Sequence, residues 1–99
     1  MLYMILGTIA ADSGSRREAA RAAHLDRLRI LLNEGRLVLA GPCPAVDSPD
    51  PGPAGYSASL IVAEFPSLVA ARAWIDEDPY VLAAVYEDVA VRPFRQVLP

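Results

Sequence analysis

The sequence of 99 residues contains no lysine, one cysteine and one histidine, and each shortage excludes a kind of chemistry. Without lysine the protein can neither form a Schiff base nor use a lysine as a general base. The single cysteine, Cys43, cannot form an internal disulfide, and no His or Cys lies near it in the sequence to complete a zinc site. We therefore predict no metal centre and a reducing, cytoplasmic location.

The basic residues show no pattern that is typical of a nucleic-acid-binding protein. All nine are arginines, they form no dense run, and the formal net charge is −3. Because nucleic-acid recognition needs a basic patch, we predict no nucleic-acid partner. The apolar segment 1–11 is too short to cross a bilayer, which predicts no membrane association. GxSxG, Walker, HExxH and GxGxxG motifs are also absent, and no cofactor is implied.

Apolar residues are in excess for a chain of this length. Hydrophobic residues make up 54% of the sequence and charged residues 21%. We expect a single small domain over residues 1–99, and such a domain has a large surface relative to its volume. Part of its apolar surface is then expected to be buried against a second copy of the chain. The composition therefore predicts a homo-oligomer.

The hydrophobic pattern predicts six regular elements in the order strand, helix, strand, strand, helix, strand. A capping box formed by Ser15 and Glu18 predicts the start of the first helix. The proline-rich segment 41–55 is predicted to be a long loop, and Pro79 is predicted to end the second helix. The expected strands cover 2–9, 36–40, 56–65 and 85–91, and the expected helices cover 16–34 and 66–77, with a short turn to Ala84.

This order is typical of a ferredoxin-like α+β domain, in which an antiparallel four-stranded sheet carries both helices on one face. The first strand is apolar on both sides, with Leu2, Met4 and Leu6 on one and Tyr3 and Ile5 on the other. A strand of this kind needs cover on both faces. We predict a homodimer in which the open sheet faces of two copies pack together.

His24 is the one side chain suited to proton transfer near neutral pH. It lies at the edge of the leucine face of the first helix, one turn before Leu28, so it is expected to point inward or along a cleft rim. The sequence allows two interpretations of His24. His24 is either an acid–base residue, or a histidine at the edge of the core whose ring hydrogen-bonds to a carbonyl.

A catalytic histidine needs a carboxylate that fixes its tautomer, and Asp78 is the candidate. The break at Pro79 places Asp78 at a helix end rather than on a solvated face. An Asp-Pro pair is also a good start for a helix, so Asp78 is equally a candidate N-cap for the segment after it. One carboxylate can serve both roles.

Four further residues are candidates for substrate binding. Tyr80 and Ser59 carry hydroxyl groups that can hydrogen-bond to a ligand, and Gly41 and Pro42 open the long loop. Loops of this length in compact domains are often covers over functional sites, although disorder is an alternative. We expect the loop and Tyr80 to exclude water from an apolar cleft.

The chain resembles the YciI-like (YCII-related) family in several stretches, which together extend over almost its whole length. The resemblance implies the dimeric alpha+beta barrel of muconolactone isomerases, and the family includes dehydrochlorinases that act on chlorinated hydroxyquinols. It also implies that a His and Asp pair, matched here by His24 and Asp78, lines a cleft in each protomer. Ala22 departs from the proline expected in many relatives. The matching stretches are 1–3, 21–25, 34–37, 40–42, 60–65, 78–80 and 91–94.

Two functions from different classes follow. The first is a small enzyme without cofactor, in which His24 moves a proton on a small cyclic or carbonyl substrate and promotes isomerisation or an elimination such as dehydrochlorination. Asp78 orients the imidazole in this hypothesis. The alternative is a noncatalytic module that binds a small molecule in the same cleft, or whose role is dimeric assembly.

Overall fold

The computed structural model describes residues 1–99 and shows a four-stranded sheet with three helices on one face. The strands lie in the order β2-β3-β1-β4, and every neighbouring pair is antiparallel. The predicted ferredoxin-like α+β fold is therefore confirmed. The elements are β1 (Leu2–Ile9), α1 (Gly14–Asn33), β2 (Leu37–Pro44), β3 (Tyr56–Glu64), α2 (Leu68–Asp76), α3 (Pro79–Leu82) and β4 (Tyr86–Phe94).

The two sides of β1 have different surroundings, as the alternation of its side chains predicts. Tyr3 and Ile5 are buried beneath the helices and belong to the hydrophobic core. Leu2, Met4 and Leu6 are only half-buried, because they point to the sheet face that no helix covers. We call these the covered face and the open face of the sheet.

The prediction that 41–55 holds no regular structure is wrong at its start. Strand β2 does not end at residue 40 but continues to Pro44, and Pro42 lies opposite Ser59 in the ladder. Proline is compatible with this position because β2 is an edge strand, where a missing N–H can face away from the neighbour. The irregular segment is shorter than predicted and contains a 3₁₀ turn at Gly52–Ala54.

The predicted capping box at the start of α1 is also wrong. The helix begins at Gly14, with Ser13 as the N-cap residue. The Ser13 hydroxyl donates to the carbonyl of Ala10 at 2.6 Å and makes no side-chain cap. Ser15 and Glu18 already lie inside the helix, because the turn that ends at Ser13 starts the helix before the capping box can form.

The segment after β3 follows the local signals more closely. Ser67 caps α2 by accepting a hydrogen bond from the Ala70 N–H at 3.0 Å. Helix α2 ends at Asp76, and α3 starts with Pro79 in its first turn. Strand β4 continues past the predicted end at 91 to Phe94, since it is the other edge strand and tolerates Pro93. None of the helices is long and apolar enough to span a bilayer.

Candidate active site

His24 and Asp78 lie side by side, although 54 positions separate them in the sequence. The His24 Nδ1 is 2.8 Å from the Asp78 Oδ1, and both side chains are buried. Helix α1 presents His24 toward the sheet on the same side as Leu28 and Leu31. Asp78 has an extended backbone, as expected for a residue before proline, and this directs its carboxylate toward α1.

The Asp78 carboxylate accepts three hydrogen bonds, and the structure thus combines the two roles that the sequence left open. Its Oδ1 also accepts the Tyr80 backbone N–H at 2.9 Å, so Asp78 is the N-cap of α3. Its Oδ2 accepts the Arg27 guanidinium at 3.0 Å, and Arg27 donates in addition to the Trp74 carbonyl at 2.7 Å. A buried charge needs such partners, and these suit an ionised carboxylate.

Arg27 was not singled out by the sequence analysis. It lies three residues after His24, and on a helix this spacing places both side chains on neighbouring positions of one face. That spacing could have predicted Arg27 as a neighbour of His24, but the leucine pattern indicated only the apolar face of the helix. Arg27 also packs over the Trp74 ring at 4.3 Å, which holds α1 against the end of α2.

The hydrogen bond to Asp78 determines what the imidazole can do. An ionised carboxylate accepts the proton of Nδ1, which leaves the lone pair on Nε2 in the neutral ring. Nε2 makes no hydrogen bond to a protein group and is not among the buried atoms that lack a partner. Because His24 lines the cleft described below, Nε2 is the atom that can accept or return a substrate proton.

Two tyrosines fix the plane of the imidazole. The Tyr80 ring stacks on His24 with centroids 3.9 Å apart and planes 9° apart. The Tyr86 ring meets both of them edge-on, at 6.5 Å from His24 and 5.4 Å from Tyr80. Gly7 of β1 makes room for Tyr86, since a Cβ at Gly7 would lie 2.7 Å from three atoms of that ring. The imidazole is thus held in one orientation by packing as well as by Asp78.

Both phenols of this stack stay neutral at physiological pH. Burial raises the pKa of the Tyr80 hydroxyl, and the nearby Arg17 and Arg21 charges offset part of that rise. Burial also raises the pKa of Tyr86 well above its usual range. Ser59 lies close enough to offset part of the rise in the Tyr86 pKa, but the two side chains form no hydrogen bond of good geometry, so the Tyr86 hydroxyl is buried without a partner.

A cleft of about 260 Å³ opens beside His24 on the covered side of the sheet. This is slightly below the range of about 300–1,000 Å³ that is usual for drug-sized ligands, so the cleft suits a molecule of roughly one ring. The four predicted substrate-binding residues all line it, and they are Gly41, Pro42, Ser59 and Tyr80. Their role in binding remains a prediction.

The rest of the lining divides into a cationic part and an apolar part. Arg17 and Arg21 precede His24 on the same face of α1, and Leu28 and Leu32 follow it. Arg29 also borders the cleft on the leucine side, where it pairs with Asp26. Arg17 and Arg21 are not among the site residues predicted from the sequence. Their spacing of seven and three residues from His24 is the helical signal that would have found them.

The irregular segment 45–55 does not line this cleft, unlike Gly41 and Pro42 of β2. Residues 52–57 instead border a separate hollow of about 600 Å³ beside the turn after β1. That hollow is larger, but its lining carries few groups able to do chemistry, so the cleft beside His24 is the better candidate site. No group of three or more His, Cys, Asp or Glu side chains lies close enough to bind a metal ion.

Comparison with solved structures shows the same fold in an enzyme. The chain superimposes with a TM-score of 0.82 on the 5-chloro-2-hydroxyhydroquinone dehydrochlorinase TftG from Burkholderia phenoliruptrix, solved in complex with 2,5-dihydroxybenzoquinone. The match covers 96% of this chain and 94% of that protein at 21% sequence identity. At this identity the similarity establishes the fold alone.

Sequence comparison shows nearer relatives. The chain is 58% identical over 97 residues to protein YciI of Escherichia coli O6:H1, which covers 98% of this chain and 99% of YciI. It is 44% identical, over the same shares of the two chains, to an uncharacterised protein of Haemophilus influenzae. The model of the YCII-related domain matches residues 1–95. The protein therefore belongs to the YCII-related domain family, as the motifs around His24 and Asp78 predict.

Proposed function

We propose that the protein is an acid–base enzyme that moves a proton on a small cyclic or carbonyl substrate. The observation that carries this proposal is the pairing of His24 Nδ1 with Asp78 Oδ1 at 2.8 Å, with Nε2 left unbonded at a cleft of single-ring size. An imidazole that is oriented by a carboxylate and faces a cleft is suited to general acid–base catalysis.

In this mechanism the Nε2 of His24 removes a proton from the bound substrate. Asp78 keeps the proton on Nδ1 and stabilises the imidazolium that forms, while the hydrogen bond from Arg27 holds the Asp78 carboxylate in place. Tyr80 packs along the imidazole and prevents it from rotating. Return of the proton to another substrate atom completes an isomerisation.

The same step supports an elimination. When a proton leaves a carbon next to one that carries chloride, the electron pair of the broken C–H bond forms a double bond and expels chloride. The fold neighbour TftG is a dehydrochlorinase, and this favours testing elimination first. The unprotonated Nε2 of the His24 ring can accept the proton itself, so this step needs no metal ion or redox group.

The test compares the wild type with His24→Gln on a panel of chlorinated hydroxyquinols and small enolisable lactones. Chloride release and ring absorbance are followed over time. We expect turnover by the wild type and a loss of about 100- to 10,000-fold in His24→Gln, the usual contribution of a general base. Asp78→Asn is expected to lose activity without losing the imidazole, because the tautomer is no longer fixed.

The alternative function is a binding module without catalysis. Equal rates in wild type and His24→Gln would remove His24 from any reaction. Tight binding of panel members by the wild type without turnover would favour the binding module. The ¹⁵N NMR signals of His24 offer an independent check, because the protein has one histidine and its Nδ1–H tautomer is expected to lose dominance in Asp78→Asn.

The proposal includes a homodimer. Leu39 and Phe94 on the open face are 48% and 39% exposed, and the half-buried Leu2, Met4 and Leu6 lie between them. A second copy packed on this face would cover them and produce a two-sheet barrel with one cleft per protomer. The cytoplasmic location predicted from the single Cys43 belongs to the same proposal.

A further inference from the structure

The cleft beside His24 has an excess of positive charge that the proton-transfer chemistry does not use. Arg17, Arg21 and Arg29 line it, and no Asp or Glu side chain does. Arg29 is already paired with the exposed Asp26 at 3.2 Å, which leaves Arg17 and Arg21 as the unpaired cations. The charge of Asp78 lies behind the imidazole and is already paired with Arg27. The protein as a whole carries a net charge of −3, so this local excess of cations runs against the average of the chain.

These two arginines differ from others in the structure because no protein group occupies their donors. Arg16, Arg27 and Arg36 donate to carboxylates or backbone carbonyls. Arg17 and Arg21 form no ion pair, and the Arg17 Nε is buried without an acceptor. The Arg17 Nη atoms also make no hydrogen bond, but they are not buried, so they are free to donate to a ligand in the cleft.

Arg17 is also held in position rather than free in solvent. Its guanidinium packs over the Tyr56 ring at 4.7 Å and lies 5.9 Å from the Tyr80 ring centroid. A planar guanidinium fixed in this way presents its N–H groups in a geometry that matches a carboxylate or an equivalent planar oxyanion. Glu18 lies nearby on α1, but it is exposed, does not line the cleft and pairs with neither arginine.

We propose that the cleft selects a small anionic substrate, whose planar oxyanion binds between Arg17 and Arg21 and whose apolar body points toward Leu28. This inference rests on the proposed function, since it places the substrate that His24 would act on. Along α1, Arg21 precedes His24 by three residues, or roughly 4.5 Å at 1.5 Å per residue. The proton that His24 moves is then close to the charged group and not at the distant apolar end.

The test uses benzoate and benzamide as probes, because both are single-ring molecules of nearly equal shape and only benzoate carries a charge. Binding is measured by calorimetry or NMR on His24→Gln, so that no reaction interferes. We expect benzoate to bind at least about 10-fold more tightly than benzamide, the effect of about one charge-assisted hydrogen bond. The ratio should fall as ionic strength rises.

The matched variants separate a local site from general charge. In Arg17→Gln/Arg21→Gln the preference for benzoate should disappear, and Arg95→Gln, which removes one positive charge from the exposed C-terminal segment, should keep it. Equal binding of the two probes, no benzoate binding at millimolar concentration, or a preference retained in the double variant would each overturn the inference.

Failure of this inference is distinguishable from failure of the proposed function. Anion selectivity without turnover of any substrate would leave the anion site intact and remove the catalytic role. Turnover that depends on His24 but acts equally well on neutral and anionic substrates would leave the catalytic role intact and remove the anion site.

Discussion

The two faces of the sheet are built from the same strands, yet they differ in the burial of their side chains and in the placement of their polar groups. On the covered face, Tyr3 and Ile5 are 5% and 1% exposed and pack beneath helices. The polar groups of the candidate site, His24, Asp78 and Ser59, are buried on this same side. The open face carries half-buried aliphatic side chains of β1, and its charged residues, such as Arg92 and Asp88 of β4, are exposed to solvent.

This difference indicates a division of labour between the faces. The covered face joins packing and chemistry, because the contacts that orient His24 also attach α1 and α3 to the rest of the fold. The open face is suited to assembly alone. Substitutions on the covered face are therefore expected to change folding and the site together, and substitutions on the open face are expected to change association.

The largest effect is expected from Asp78→Ala. Removing the carboxylate leaves Arg27 without its partner and removes the cap of α3, so we expect a loss of about 3 kcal/mol in the free energy of unfolding. Asp76→Ala is the control, because Asp76 forms an exposed pair with Arg72 that is worth roughly 0–1 kcal/mol. Denaturant titration measures both, and equal losses would contradict the central role of Asp78.

The open face is tested by Leu6→Asp. Leu6 lies in the middle of this face, between Leu60 and Ala90. In a symmetric dimer the change places two like charges in one apolar contact, which costs several kcal/mol and should weaken association about 100-fold or more. Light scattering at micromolar concentration gives the mass. Val69→Asp changes an exposed side chain on α2 and should leave the mass unchanged.

A wild-type protein that is monomeric at micromolar concentration would remove the proposed dimer. A dimer that survives Leu6→Asp would instead place the contact somewhere other than the open face. In either case the covered face and its cleft would be unaffected, since His24, Asp78 and Tyr80 do not lie on the open face.

The sequence carried more information about the fold than about the site. Alternation in β1 and the break at Pro79 are local signals, and they predicted the strand faces and the start of α3. The encounter of His24 with Asp78 is not local: the break at Pro79 made Asp78 a candidate partner, and the family resemblance strengthened the pairing. Arg27 was missed because its helical spacing from His24 places it on the right face of α1 but does not show that Asp78, from another element, lies beside it.

The errors have the same physical origin. Pro42 and Pro44 predicted a loop because proline disrupts a central strand, but the position of β2 at the sheet edge was not visible in its own residues. The Ser15 capping box matched a real local pattern, and the buried turn that ends at Ser13 replaced it. In both places the surrounding structure decided between local options.

Gly7→Ala and Gly41→Ala add the same methyl group on opposite faces of the sheet. In Gly7→Ala the new Cβ would lie 2.7 Å from the buried Tyr86 ring, so we expect an overpacking cost of about 1–3 kcal/mol and a disturbed stack around His24. In Gly41→Ala nothing lies within 4 Å of the new Cβ. Unfolding measurements on the pair should show a clear loss for the first and a change near zero for the second.

The smallest effect is expected from Tyr86→Phe. Unlike the other substitutions, it should raise the free energy of unfolding. The Tyr86 hydroxyl is buried without a good partner, so its removal should stabilise the protein by about 1 kcal/mol at neutral pH. Burial raises the pKa of this phenol in the folded protein. Above pH ~10, the ordinary pKa of tyrosine, the unfolded chain loses the proton while the folded chain keeps it, and wild-type stability falls as pH rises.

Tyr86→Phe lacks this contribution, so its advantage over the wild type should widen above pH ~10, by up to about 1.4 kcal/mol per pH unit. The wild type and the variant are compared by denaturant titration at several alkaline pH values, with Tyr56→Phe as a control outside the stack. Parallel pH profiles for wild type and Tyr86→Phe would mean that water reaches the hydroxyl. The covered face would then be less closed around His24 than its packing indicates.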